Sequence, residues 1–153
     1  MPKIHYTEVE TQYGSQYPGA FKDITNGYER KKIGDYAGLT QFGVNYALLR
    51  PGAATSLRHW HENEDELVIV FEGEVVLVDD QGETTLRAGE SAGFKAGESN
   101  GHHLINKSVF DVILFEIGTR MNEEIGHYSD QDLMVHRKDG NFYFARRDGT
   151  KVS

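Results

Sequence analysis

Between residues 41 and 117, short apolar and β-branched runs recur about every 8–12 residues, each closed by a turn signal. Gln41 to Arg50 ends at Pro51-Gly52, and Thr55 to His61 alternates polar and apolar positions. Glu66 to Glu72 stops at Gly73, and Val75 to Val78 follows at once. Thr84 to Arg87, Ser91 to Phe94, His102 to Asn106 and Val109 to Ile117 complete the series. No stretch here holds a 3.6-residue apolar period over a dozen residues, so a helical domain is excluded. The spacing predicts an all-β sandwich or small barrel. Glu72-Gly73-Glu74 reads as a tight connection between two paired strands, and Asp79-Asp80-Gln81-Gly82 as a hairpin turn.

The flanks are less patterned. Residues 1–40 are short mixed polar and aromatic runs, with Tyr13 to Gly19 expected to be irregular and the basic run Arg30 to Gly34 expected to be solvated surface. After Arg120, Met121 to Ile125 is expected to form a helical turn, and Asn141 to Arg147 a final strand after the Asp139-Gly140 turn. Nothing reads as a linker. The expectation is one domain over 1–153, with a barrel core at about 40–117, an N-terminal arm over 1–39 and a C-terminal extension over 118–153.

Composition narrows the chemistry. The 153 residues include no cysteine, which excludes disulfides, thiolate nucleophiles and sulfur-ligated metal. A formal charge of −8 argues against nucleic acid as a partner. No apolar run approaches the roughly 20 residues that span a bilayer. Met1 to Tyr13 is polar, with Lys3, Glu8 and Glu10, so no signal peptide and a cytoplasmic location are expected. Any metal must be held by histidine and carboxylate.

Seven histidines stand at positions 5, 59, 61, 102, 103, 127 and 136. His59 and His61 share one face of a strand, because side chains alternate with period two. Glu66 begins the next apolar run, on the same face as Val68 and Val70. If that face looks inward, its carboxylate needs a positive partner, and a metal ion supplies one. His102 can add a third imidazole from across the barrel. Three nitrogens and a carboxylate suit borderline divalent ions, zinc, iron, manganese and nickel among them, and leave positions open for a ligand.

These residues resemble two motifs of the cupin superfamily. Gly52, six residues, His59-x-His61, four residues, Glu66, six residues, Gly73 is similar to the first, with one extra residue before His59. Gly89, five residues, Lys95-x-Gly97, four residues, His102, three residues, Asn106 is similar to the second. There Lys95 stands where proline is usual, and the loop to His102 is two residues longer than the pattern, so His102 and His103 compete for one role. The spacing to Asn106 selects His102. The resemblance implies a double-stranded β-helix (cupin, jelly-roll) barrel with short terminal extensions, commonly a homodimer. It implies a divalent metal held by His59, His61, Glu66 and His102, and a structural role for Asn106. The runs Arg58 to Glu62, Glu64 to Leu67, Gly101 to Asn106 and Glu116 to Arg120 further resemble a subgroup of small bacterial cupins, some described as sugar-phosphate isomerases by similarity.

Three functions follow as expectations. The first is a metal-dependent isomerase acting on a small polar metabolite, the metal polarising a carbonyl and a base moving a proton. Glu64, Asp65 and Glu62 are candidate bases. Arg58 and Lys95, with Arg50 or Arg120, are candidate phosphate contacts. The second is a non-haem iron dioxygenase with the same ligands; Tyr46, Phe94 and Trp60 are candidate walls, although Trp60 lies between the histidines and faces away from them. The third is a non-catalytic small-molecule-binding or sensor module.

Overall fold

Alternation along the chain sorts residues into two layers. The computed structural model describes residues 2–153. Its strands are β1 (Thr11–Tyr13), β2 (Tyr28–Lys31), β3 (Phe42–Leu49), β4 (His59–His61), β5 (Glu66–Glu72), β6 (Glu74–Asp79) and β7 (Gly82–Arg87). They continue with β8 (Ser91–Phe94), β9 (His103–Ile105), β10 (Val112–Thr119), β11 (Glu123–Tyr128), β12 (Met134–Lys138), β13 (Asn141–Ala145) and β14 (Lys151–Val152). Besides the 3-10 helices Tyr6–Glu8 and Gly19–Thr25, a short α-helix, α1 (Ile33–Tyr36), packs against β3. Among the described residues no helix is long and apolar enough to cross a membrane.

The first layer is a six-stranded antiparallel sheet in the order β1-β2-β3-β10-β5-β8. The second consists of two sheets, β14-β13-β12-β11-β4 and β7-β6-β9. A bridge joins them: the N–H of His59 donates to the His102 carbonyl at 3.0 Å, and the N–H of His102 returns to the His59 carbonyl at 2.9 Å. Inward residues of both layers, among them Leu49, Val70, Val75, Leu104, Val112 and Leu114, form the main core. The result is an all-β jelly-roll barrel: the spacing of the strands gave the all-β class, and the resemblance implied the barrel type.

Three local expectations are corrected. Glu72-Gly73-Glu74 does not join paired strands, because β5 pairs with β10 and β8 while β6 pairs with β7 and β9. Gly73, at φ 86°, is where the chain leaves one layer for the other; a Cβ there would meet the Asp111 carbonyl at 3.0 Å. Met121 to Ile125 is not a helical turn, since β11 begins at Glu123 and pairs with β12 and β4. The basic run at 30–34 is not merely solvated: Arg30 and Lys31 lie in β2, paired with Ala47 and Tyr46 of β3. The hairpin at 79–82 stands as expected, with Asp79 opposite Gly82.

Candidate metal centre

The site is assembled where the layers meet at one mouth of the barrel. β4 sends His59 and His61 inward and turns Trp60 outward, where it stacks on His127 at 4.3 Å between centroids. His102 lies 4.7 Å from His59, ring to ring, held by the backbone bridge. Phe94 lies flat against its imidazole at 3.4 Å and sets the ring's plane. From the facing sheet, β5 opens with Glu66, whose neighbour across β10 is Gly118. That position carries no side chain, so the approach to the carboxylate stays open.

Three imidazole Nε2 atoms converge on the Glu66 carboxylate. His102 Nε2 lies 2.8 Å from Oε2, His61 Nε2 3.0 Å from Oε1, and His59 Nε2 3.6 Å from Oε2. His59 Nδ1 faces the Leu57 carbonyl at 2.9 Å. It therefore donates there, which leaves the Nε2 lone pair for a cation. Behind His61, Glu124 is buried and stands 3.9 Å from Nδ1, while also accepting the Glu62 N–H at 2.8 Å. His103 points elsewhere, with Nδ1 donating to the Ser56 carbonyl at 2.8 Å.

The electrostatics fit a cation. Burial opposes ionisation of Glu66, but the neighbouring imidazoles of His59, His102 and His61 outweigh it and hold the carboxyl well below its ordinary range. Burial likewise opposes a proton on His61, yet Glu66 outweighs it and raises that imidazole. His102 goes the other way, lowered chiefly by burial. A neutral His102, a carboxylate and outward-anchored Nδ1 on His59 make a donor set of nitrogen and oxygen that suits a divalent ion. His59, His61 and Glu66 place their donor atoms within 4.8 Å of one another.

Among the candidate catalytic residues, Glu64 places a carboxylate oxygen within 4.8 Å of a His61 nitrogen. Glu64 is buried, ion-paired with Arg137, and accepts the Met121 N–H at 2.9 Å. Arg58 holds Asp80 at 2.8 Å and lies 3.2 Å from Asp130. Lys95 is exposed at a smaller cavity of about 220 Å³, which Glu64, Phe94, His61 and His102 also line. Asp65 accepts the Ala96 N–H, and Glu62 pairs with His127. Arg50 and Arg120 pair with Glu29 and Asp35. Tyr46 stacks on Tyr6, away from the site.

On their other side the histidines, with Glu66, line a cavity of about 510 Å³ shared with residues of both flanks, including Tyr28, Arg30, Lys32 and Arg137. Glu116 of β10 stands in its wall. Its Oε1 accepts the Tyr28 hydroxyl at 2.6 Å and the Asn45 amide at 3.3 Å. Burial pushes this carboxyl up, against the pull of those bonds. One signal was available for it: Glu116 interrupts the apolar run of β10 at an inward position, where an unpaired carboxylate is costly.

Comparison with known proteins agrees with this geometry. The model of the family described as Cupin domain matches residues 45–118. A crystal structure from Silicibacter pomeroyi, described as a sugar phosphate isomerase from a cupin superfamily, is 43% identical with a TM-score of 0.96. The match covers 99% of this chain and 97% of that one. This chain belongs to the cupin superfamily. A putative sugar phosphate isomerase from Acidithiobacillus ferrooxidans shares the fold at 23% identity and a TM-score of 0.75, over 82% of this cupin and 80% of its own chain. A polyketide cyclase from Streptomyces resistomycificus does so at 22% and 0.63, over 78% and 79%. No curated protein sequence matches this cupin.

Proposed function

We propose that this cupin is a divalent-metal-dependent isomerase of a small hydroxy-carbonyl metabolite of the sugar-phosphate type, with His59, His61, Glu66 and His102 as the metal ligands. The observation that carries this reading is the convergence of three Nε2 atoms on one carboxylate in the wall of a substrate-sized cavity. The description of the relative from Silicibacter pomeroyi supports the reaction class. A divalent ion held there supplies Lewis acidity toward a substrate oxygen.

The chain supplies the remaining chemistry. Isomerisation of a hydroxy-carbonyl compound moves a proton between neighbouring carbons, and a group of raised pKa is suited to hold it. Glu116 is that group. Tyr28 and Asn45 both donate to Oε1, which fixes the carboxyl and leaves Oε2 to exchange a proton with substrate. The stack of Phe94 on His102 and the Leu57 carbonyl behind His59 keep two of the ligands oriented without substrate.

The test is a panel of aldose and ketose phosphates offered to protein loaded in turn with zinc, iron, manganese and nickel. Metal-dependent interconversion is expected. Glu116→Gln should lower kcat by about 100-fold or more while the bound metal, measured by elemental analysis, stays at the wild-type level. Absence of interconversion across the panel with fully loaded protein overturns the reading, and substrate-dependent dioxygen uptake would replace it with oxidation chemistry.

A further inference from the structure

The cavity that holds the imidazoles also carries two cations that form no ion pair among the described residues. Period-two alternation along β2 sends Tyr28 and Arg30 to the cavity, and Lys32, just beyond the strand, joins them in its lining. The intervening residues turn the other way: Glu29 pairs with Arg50, and Lys31 donates to the Val9 carbonyl. Arg30 gives one N–H to the Gly14 carbonyl at 3.0 Å and lies 5.3 Å from the centre of the Tyr28 ring. Among the described residues, neither Arg30 nor Lys32 has a carboxylate within ion-pair distance, whereas Arg50, Arg58, Arg120 and Arg137 each have one. The two acids closest in sequence to Lys32 are both taken, Glu29 by Arg50 and Asp35 by Arg120.

That absence is informative in a chain with 24 acidic and 16 basic residues, where carboxylates are in surplus. Two half-buried like charges repel and lose hydration. Burial lowers the Lys32 ammonium and Arg30 lowers it further, outweighing the opposite pull of Asp35. An anion arriving with the ligand relieves both costs. The amides of Gln12 and Gln16 line the same cavity and can donate to it. A phosphate monoester carries close to two negative charges at neutral pH, enough for both cations, whereas a carboxylate carries one.

We propose that Arg30 and Lys32, with Gln12 and Gln16, form the subsite for the phosphate group of the ligand, across the barrel from His59, His61 and His102. The proposal rests on the cavity being the substrate site. It makes the N-terminal arm, through β2, the element that selects a phosphorylated ligand.

Inorganic phosphate is the probe, titrated calorimetrically into the full chain with its metal and again after chelation. Saturable binding at one site is expected in both samples. Lys32→Gln and Arg30→Gln should each weaken it about tenfold. Lys107→Gln, on the exposed surface, should leave it unchanged. Lys32→Arg should restore it, and acetate should bind at least about tenfold more weakly than phosphate. Lys32 makes no side-chain hydrogen bond and its charge is opposed by Arg30, so Lys32→Gln should melt no lower than wild type, which shows that lost binding is not lost folding. Binding confined to the metal-loaded sample, equal binding by the variants, or equal affinity for acetate would overturn the subsite. The readout needs no turnover, so a failed isomerase assay leaves it intact. Conversely, isomerisation of unphosphorylated sugars without phosphate binding would sink the subsite alone.

Discussion

Two adjacent histidines, His102 and His103, leave the backbone in opposite directions, and that divergence separates their roles. His102 Nε2 comes within 2.8 Å of Glu66, while His103 Nδ1 is committed to the Ser56 carbonyl. His102→Ala should therefore strip most of the bound metal, measured by elemental analysis after gel filtration, and His103→Ala should retain it. The reverse outcome would mean the register of the loop before β9 is wrong. The choice between them was legible in sequence only through the spacing to Asn106. Asn106 itself is fully buried; its amide donates to the Leu49 and Phe110 carbonyls, and its oxygen accepts from Ser108. It fixes the loop behind β9, as the resemblance implied. Glu116, by contrast, was passed over because a single acid in an apolar run has no spacing partner; its partners Tyr28 and Asn45 are 88 and 71 residues away.

At the scale of elements, β5 and β6 show what local pattern cannot decide. A strand, a glycine and another strand read as a hairpin, yet no ladder joins them. Val68 and Val70 of β5 must face the core from one layer, and Val75 of β6 must face it from the other. Gly73 turns the chain between them at φ 86° with the Asp111 carbonyl 3.0 Å from where a Cβ would sit. Gly73→Ala combines a strained backbone with a close approach to β10, and should cost about 1–3 kcal/mol in thermal or denaturant unfolding. An unchanged midpoint would mean that the crossing has room to relax. β11 was missed for a related reason. Glu123, Glu124, Gly126 and His127 have low strand preference, and pairing with β12 and β4 outweighs it.

For the molecule as a whole, the acidic composition is distributed unevenly. The cavity that the histidines line draws on both flanks, taking Arg30 and Lys32 from the N-terminal arm and Arg137 from the C-terminal extension. At the opposite extreme of charge, the depressed Glu66 carboxyl links stability to pH. Burial works against its ionisation, but its imidazole neighbours prevail, so the folded value lies well below the ordinary 4.5. Such a group contributes stability above its unfolded value and loses it as the pH falls through the folded one. In metal-stripped protein, the difference in Tm between wild type and Glu66→Gln should be largest between about pH 5 and the raised pKa of His61, shrinking in more acid solution as Glu66 gains its proton and in more alkaline solution as His61 loses its own. A difference independent of pH would show that Glu66 is not ionised among the histidines. By itself the sequence determined the all-β class, most strand positions from Gln41 to Ile117, and the residues converging at the centre, because period-two alternation and motif spacing are local properties. Only the tertiary structure decided which strands pair, which layer each flank joins, and that Glu116, Arg30 and Lys32 share a cavity with the histidines. Those relations depend on the closure of two sheets over one core, which brings together residues whose separation along the chain carries no signal.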